Sequence, residues 1–421
     1  MLIEFRVENF RSLATEQALT LEAGKLGNEN DARPRDVEGH GDPLLPIAVI
    51  YGANASGKSN LLNAIDFMRE SVIYSHRHWD PDGGVPRTSF AWGEFDKRPS
   101  TFEITFLNNE TKYQYGFSTN DEKIVEEWLY AWPPPHRRKQ TWFERENEQY
   151  KFGDHLQGPN ESVADVTRPN ALFLSSAAQL KHSQLSGLFS WFRSLVFSNA
   201  DRRLYRRGYS YPRWLPSSRR QMSLFDDESL ENDIRTRLRK LLAAADIGIV
   251  DVKTVETERS VGGKPRSYYQ IMLQHEADNE ASWLELENES EGTKTLFEMA
   301  PSIFRALDTG ALLVVDELES SLHPLLALAI LALFNNPKTN PHNSQLLFTT
   351  HDTNLLGTII GEPPLRRDQV WFTEKNEQGQ STLYPLTDFK PRKSENLERG
   401  YLQGRYGAIP FLGNIEWIIN E

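Results

Sequence analysis

Five apolar residues, Ile47–Tyr51, run without a break into Gly52-Ala53-Asn54-Ala55-Ser56-Gly57-Lys58-Ser59. The octapeptide fits GxxxxGK[ST] in full, a pattern that average residue usage yields by chance in about one or two chains of this length in a hundred. Its flanks sharpen the reading. Leu61, Leu62, Ile65, Met68 and Val72 then fall on one face of a helix. The loop therefore joins a buried strand to an amphipathic helix, the context a phosphate-binding loop requires. Glycines let backbone N–H groups turn inward around β- and γ-phosphates where a side chain would collide, and the helix N-terminus adds partial positive charge. Gly52, Ala53, Asn54, Ala55, Ser56, Gly57, Lys58, Ser59 and the adjoining Asn60 are the expected nucleotide contacts. In such a loop Lys58 sits on the β/γ oxygens as a point charge and the Ser59 hydroxyl on Mg²⁺.

The second half of such a site is an apolar strand ending in acid, and Leu312-Leu313-Val314-Val315-Asp316-Glu317 supplies it. Asp316 is expected to hold Mg²⁺ directly or through water. Glu317 is placed to polarise the water that attacks the γ-phosphate, a general-base role. Further on, the strand Leu346–Thr350 ends in His351-Asp352, which puts a histidine at a strand's C-terminal edge, where α/β sheets bind ligands. The competing reading is a surface histidine ahead of a helix capped by Asp352. Upstream of Asp316, Ser290-Glu291-Gly292-Thr293 opens a helix whose Leu296, Ala300, Ile303, Phe304 and Leu307 face one way. Ser290 and Gly292 at that helix start make either a second anion site or an ordinary N-cap.

Elsewhere the period alternates between two and 3.6. Ile3, Phe5 and Val7, then Phe102, Ile104 and Phe106, then Tyr113, Tyr115 and Phe117 predict antiparallel strands. Helix 293–307, strand 311–315, helix 324–334 and strand 345–350 alternate as in an α/β sheet. These patterns divide the chain into an N-terminal half, 1–180, an inserted basic, helical arm, 181–245, and a C-terminal half, 246–421. The arm carries Arg202, Arg203, Arg206, Arg207, Arg213, Arg219 and Arg220 interleaved with Tyr205, Tyr209, Tyr211 and Trp214. Three readings stand for 202–220: a solvated loop, a grip on an acidic protein partner, or a track for a nucleic-acid backbone with rings stacking on bases. The whole chain has 47 Lys and Arg against 59 Asp and Glu, a formal charge of −12, so any polyanion contact has to be local. Having no cysteine, it excludes disulfides, thiol nucleophiles and Cys-ligated metal. The longest apolar run, Leu325–Phe334, is half the ~20 residues of a membrane helix. With no signal-peptide pattern at the start, the expected compartment is the cytoplasm and no membrane partner is expected. His76 and His78 near Asp80 and Asp82 read as a loop and not as a metal site.

In order and spacing these elements resemble the ATP-binding-cassette-type heads of the SMC, recombination-repair and overcoming-lysogenisation-defect ATPases. The matching elements are phosphate loop Gly52–Ser59, signature Ser290-Glu291-Gly292, Walker B Asp316-Glu317, a D-loop-like Ser320-Ser321-Leu322-His323-Pro324, and switch His351. The signature departs from Leu-Ser-Gly-Gly-Gln, with Glu291 where glycine is usual, and the Q-loop candidate is Gln114. More narrowly, IEFRVENFRSL, GANASGKSN, PSTFEITF with YQYGF and EEWLY, DELESSLHP and GRYGAIPFLG are similar to the stand-alone AAA-family ATPases of bacterial abortive-infection and anti-phage systems.

The resemblance implies an α/β fold, an ABC-type P-loop ATPase head with a mixed central sheet, an antiparallel β lobe and an inserted, mainly helical arm. It implies ATP and Mg²⁺ as cofactors, ATP hydrolysis, and a homodimer or higher homo-oligomer in which the signature serine caps the γ-phosphate of the opposite protomer. It also implies a separately encoded effector, a nuclease or toxin. Relatives with the overcoming-lysogenisation-defect layout fuse a C-terminal Toprim nuclease domain. The stretch after His351 is too short for one and shows no Glu followed by an Asp-x-Asp pair, so the effector is expected on another chain. The alternative is an SMC or recombination-repair ATPase that binds DNA directly, which the lack of a heptad run disfavours. A transporter ATPase fits less well, because the arm and the hairpin lobe are not expected there.

Overall fold

The computed structural model describes residues 1–26, 31–198, 228–245, 248–261, 264–276, 282–357, 363–392 and 395–410. Its strands are β1 (Leu2–Glu8), β2 (Gln17–Thr20), β3 (Ile47–Gly52), β4 (Ser100–Asn108), β5 (Thr111–Thr119), β6 (Ile124–Trp132), β7 (Gln140–Glu146), β8 (Gln149–Phe152), β9 (Val196–Phe197), β10 (Ile249–Val261), β11 (Lys264–His275), β12 (Ser282–Glu285), β13 (Leu312–Val315), β14 (Gln345–Thr349), β15 (Val370–Lys375) and β16 (Ser381–Pro385). Its helices are α1 (Lys58–His78), α2 (Asn160–Asp165), α3 (Phe173–Gln179), α4 (Leu185–Ser194), α5 (Glu228–Ala245), α6 (Glu291–Thr309), α7 (Pro324–Asn335) and α8 (Leu397–Leu402).

Strands of period two form a seven-stranded antiparallel sheet in the order β2-β1-β4-β5-β6-β7-β8. One face is covered, so Phe102, Ile104, Phe106, Tyr115 and Phe117 are buried while Glu103 and Gln114 alternate outward. The continuous apolar strands form the central sheet, in the order β16-β15-β3-β14-β13-β9, with β15, β3, β14, β13 and β9 parallel and β16 antiparallel at the edge. Helices cover both of its faces, which is why IAVIY and LLVV carry no polar alternation. Ala48, Ile50, Val314 and Leu347 pack with α1, α3 and α4 toward the antiparallel sheet, and Val49, Leu313, Val315 and Phe348 pack with α5, α6 and α7 on the other side. A small antiparallel sheet, β10-β11-β12, joins that second core through Ile249, Val252, Ile271 and Leu273.

The expected arm begins inside this frame. Leu185, Leu188 and Phe192 of α4 are buried, Phe106 stacks on Trp191 with ring centroids 3.9 Å apart, and β9 pairs with β13. Residues 185–197 thus belong to the head and not to an insertion. The apolar stripe of α4 was legible, but not the sheet it covers. The later helix α5 packs Leu238 and Leu242 into the second core, with Arg237 over the Phe304 ring and paired to Asp308 at 2.8 Å. The arginine-aromatic run 202–220 lies outside the described residues. No helix among the described residues is long and apolar enough to cross a membrane.

Strand order has one consequence for the site. β14 lies between the phosphate-loop strand β3 and the acid-bearing strand β13, so residues following β14 stand between the two halves of the site.

Candidate active site

The phosphate loop spans the end of β3 and the first two residues of α1. Gly57, with φ 114°, lies in the left-handed region, and a Cβ there would collide with the Ser381 hydroxyl. A chain of hydroxyls backs the loop. Ser56 Oγ is 2.6 Å from Thr373 Oγ1, and Ser381 Oγ is 2.6 Å from the Ser56 carbonyl oxygen and 2.7 Å from Ser12 Oγ. Asn60, expected among the nucleotide contacts, donates its amide to Ser12 Oγ at 2.7 Å and so braces the loop from behind. Asn54 and Ala55 are exposed at the tip.

Lys58 is buried. Its Nζ donates to Gly52 O at 2.8 Å and Ala53 O at 3.1 Å, and lies 2.9 Å from His351 Nε2. Burial lowers the Lys58 pKa against the opposing pull of Glu317, Asp316 and Glu319. His351 is lowered as well, first by burial and then by Lys58. A neutral imidazole with Nε2 accepting from the ammonium satisfies both.

Ser59 Oγ donates to Asp316 Oδ1 at 3.0 Å, and Thr349 Oγ1 donates to the same oxygen at 2.7 Å. Thr349 Oγ1 also accepts from Glu317 N at 2.7 Å, and Leu318 N donates to Thr349 O. These bonds hold Glu317 at φ 56°, an uncommon conformation for a residue with a Cβ, with its side chain exposed to the site mouth. The hydroxyl and carboxylate oxygens suit Mg²⁺. Neighbouring ligands of an octahedral Mg²⁺ at ~2.1 Å stand about 3.0 Å apart, the separation of Ser59 Oγ and Asp316 Oδ1.

Because α6 hands the chain directly to β13, the helix N-terminus lies at the same sheet edge as Asp316. Ser290 caps it, accepting from Thr293 N at 3.1 Å, and is exposed. A Cβ on Gly292 would meet Ser321 O at 2.8 Å, so glycine is what lets α6 seat against the D-loop-like turn. Glu291 pairs with Lys294 at 2.9 Å. The hydrogen bonds of the Ser290 hydroxyl go to Thr293, not to the phosphate loop of its own chain. Gln114 lies mid-β5 opposite Thr105 and Tyr130, on the sheet face turned away from the helices, and is not brought to the site. His76 and His78 end α1, His76 Nδ1 lying 3.0 Å from Ser176 Oγ.

Several residues of the site escaped the sequence reading. Thr349, Ser12, Thr373 and Ser381 are polar positions in strands or turns and carry no motif. Tyr51 read only as an apolar strand end. Glu319 stands in plain view in DELESSLHP, but nothing local showed where its side chain turns.

A phosphate loop, an acid pair on a parallel strand and a histidine between them, all at one sheet edge, define a P-loop ATPase, an ATP hydrolase. The family described as "AAA domain, putative AbiEii toxin, Type IV TA system" matches residues 47–357, and the chain belongs to it. Seventy-eight solved chains are similar to this one. Among them is the "Crystal structure of the SmcHead bound to the C-winged helix domain of ScpA", 13% identical, covering 91% of this chain and 96% of that one with a TM-score of 0.44. No curated protein matches.

Proposed function

We propose that the chain is the ATP-driven switch of a bacterial abortive-infection or anti-phage system, engaging a second copy of itself through ATP and thereby restraining or releasing a separately encoded effector, a nuclease or toxin. The family's toxin–antitoxin description supports the setting. The observation that carries the dimer is the incomplete site. Lys58, Asp316, Glu317 and His351 converge, whereas Ser290 stands exposed at a helix N-terminus with the hydrogen bonds of its hydroxyl made to Thr293. The free N–H groups of that terminus suit a phosphate supplied by another protomer.

In this reading Lys58 and the loop backbone hold the β- and γ-phosphates, Ser59 and Asp316 hold Mg²⁺, and Glu317 takes the proton of the attacking water. His351 contacts the γ-phosphate. Bound Mg²⁺ supplies neutralisation of the charge on the β and γ oxygens. The two halves of the head are 1–197 and 246–421, and 202–220 is the part of the intervening segment that meets the partner.

Mixing Ser290→Arg with Lys58→Ala protomers tests it. Half of the random dimers are mixed and each has one complete site, so about a quarter of the wild-type rate is expected from two inactive proteins. A mixture as inactive as its components would remove the trans role of Ser290. Reversing Arg202, Arg203, Arg206 and Arg207 to Glu should spare hydrolysis and abolish co-purification of the effector. Loss of salt-sensitive DNA retention in its place would favour the DNA-binding reading.

A further inference from the structure

We propose that Glu319 is a positioning residue of the ATPase site, holding the switch histidine at Lys58 and joining it to the Ser320–His323 turn. This rests on the reading of His351 given above. The left-handed Glu317 starts a tight turn in which Ser320 N donates to Glu317 O at 2.9 Å and Leu322 N to Glu319 O at 2.9 Å. The turn carries the Glu319 side chain back under the end of β14, where Oε1 accepts from His351 N at 2.5 Å. From the other side the buried Tyr51 donates its hydroxyl to Asp352 O at 2.9 Å. The His351-Asp352 dipeptide is therefore held at both of its ends, and the imidazole it carries reaches Lys58 Nζ.

The second carboxylate oxygen, Oε2, is buried and has no hydrogen-bond partner. A buried acceptor left unpaired is a cost to folding, so the carboxylate is not there for fold stability alone. Its surroundings are those of the site, since its charge acts on both Lys58 and His351. The contacts also form a continuous line. Gly292 at the signature seats against Ser321 O, the turn carrying Ser321 is closed on Glu319 O, Glu319 holds His351, and His351 meets Lys58. A shift of the signature helix or of the D-loop-like turn is thus delivered to the histidine through one side chain.

The test uses the full-length protein with Glu319→Ala, Glu319→Gln, His351→Ala and the double variant Glu319→Ala/His351→Ala. ATP affinity is measured by titration, kcat by phosphate release and folding by thermal melting. Glu319→Ala should lower kcat about 10-fold or more with ATP affinity changed less than about threefold, as expected for loss of a charge-assisted hydrogen bond. Glu319→Gln keeps an acceptor for His351 N–H and should recover most of the rate. The double variant should be no slower than His351→Ala alone, because the two act as one unit. Additive losses would overturn the proposal, as would a glutamine variant as slow as the alanine one, which would make the carboxylate an acid–base group. If Lys58→Ala is inactive and His351→Ala slow while Glu319→Ala turns over normally, this inference alone falls. If His351→Ala is itself at the wild-type rate, the assignment of the switch histidine falls with it.

Discussion

Replacing Thr349 by valine deletes one buried hydroxyl and leaves the shape of the side chain nearly unchanged. That hydroxyl makes two bonds of 2.7 Å, donating to Asp316 Oδ1 and accepting from Glu317 N. A hydrogen bond to a charged group contributes about 1.5–3 kcal/mol, and a buried N–H left without a partner costs about 1–3 kcal/mol. Asp316 keeps its bond from Ser59, and the exposed turn at Glu317 admits water. The lower half of the summed range therefore applies, a destabilisation of about 2.5–4 kcal/mol. The same hydroxyl is the common anchor of Asp316 and Glu317, the proposed metal-holding acid and the proposed base. If about 1.4–2.7 kcal/mol of the loss appears in the barrier, kcat falls about 10- to 100-fold. Steady-state phosphate release, nucleotide titration and denaturant unfolding read the three quantities separately. Thr349→Ser retains both bonds and should stay near wild type. A valine variant with kcat within about twofold of wild type and an unchanged unfolding midpoint would refute the assignment of Thr349 as the shared anchor.

Glu317→Gln keeps the backbone bond to Thr349 and removes the proposed base, so turnover should drop by about 100-fold or more while ATP stays bound and dimer accumulates on sizing in ATP. Unchanged turnover would hand the proton to another group. Gly57→Ala places a Cβ against the Ser381 hydroxyl at φ 114° and should weaken ATP binding and lower the melting temperature, and wild-type affinity would contradict the loop geometry. Burial lowers the pKa of His76, His182 and His351, with Arg168 adding to the effect at His76 and Lys58 at His351. Below the ordinary value near 6.5 the unfolded chain binds more protons than the folded one, so stability should rise with pH through that window and level off above it. His182 is locked neutral, with Nδ1 accepting from Leu185 N at 3.3 Å and Nε2 2.9 Å from Asn160 Oδ1. Melting should therefore be lower at about pH 5.5 than at pH 7.5, with the gap narrowed in His182→Gln. A protein that melts higher at the acidic pH would reverse the argument.

Much of the site was legible because its parts are local. GANASGKS needs only a strand before it and a helix after it, and β3 and α1 supply both. The period of 3.6 in Leu296–Leu307 marked α6, and the apolar run to Asp316 marked β13 within a residue or two. Gln114 was misjudged because alternation along β5 tells which residues share a face, not which face meets the nucleotide. The segment 185–197 was assigned to the arm because composition changes nearby, while its burial depends on Phe106 and β13, far away in the chain.

The sequence by itself determined the strand–loop–helix cradle, the paired acids, the histidine at a strand end and the serine at a helix start. Each depends on backbone sterics, capping or periodicity over a few neighbouring residues. Only the tertiary structure decided that β14 lies between β3 and β13, that Thr349 therefore ties Asp316 to Glu317, and that His351 reaches Lys58 with Glu319 behind it. It also decided that Ser12 and Ser381, 369 residues apart, close the back of the loop. Strand order is settled by which pairs of faces bury the most apolar surface with every buried polar group satisfied, a condition on the whole chain that no short window of residues contains.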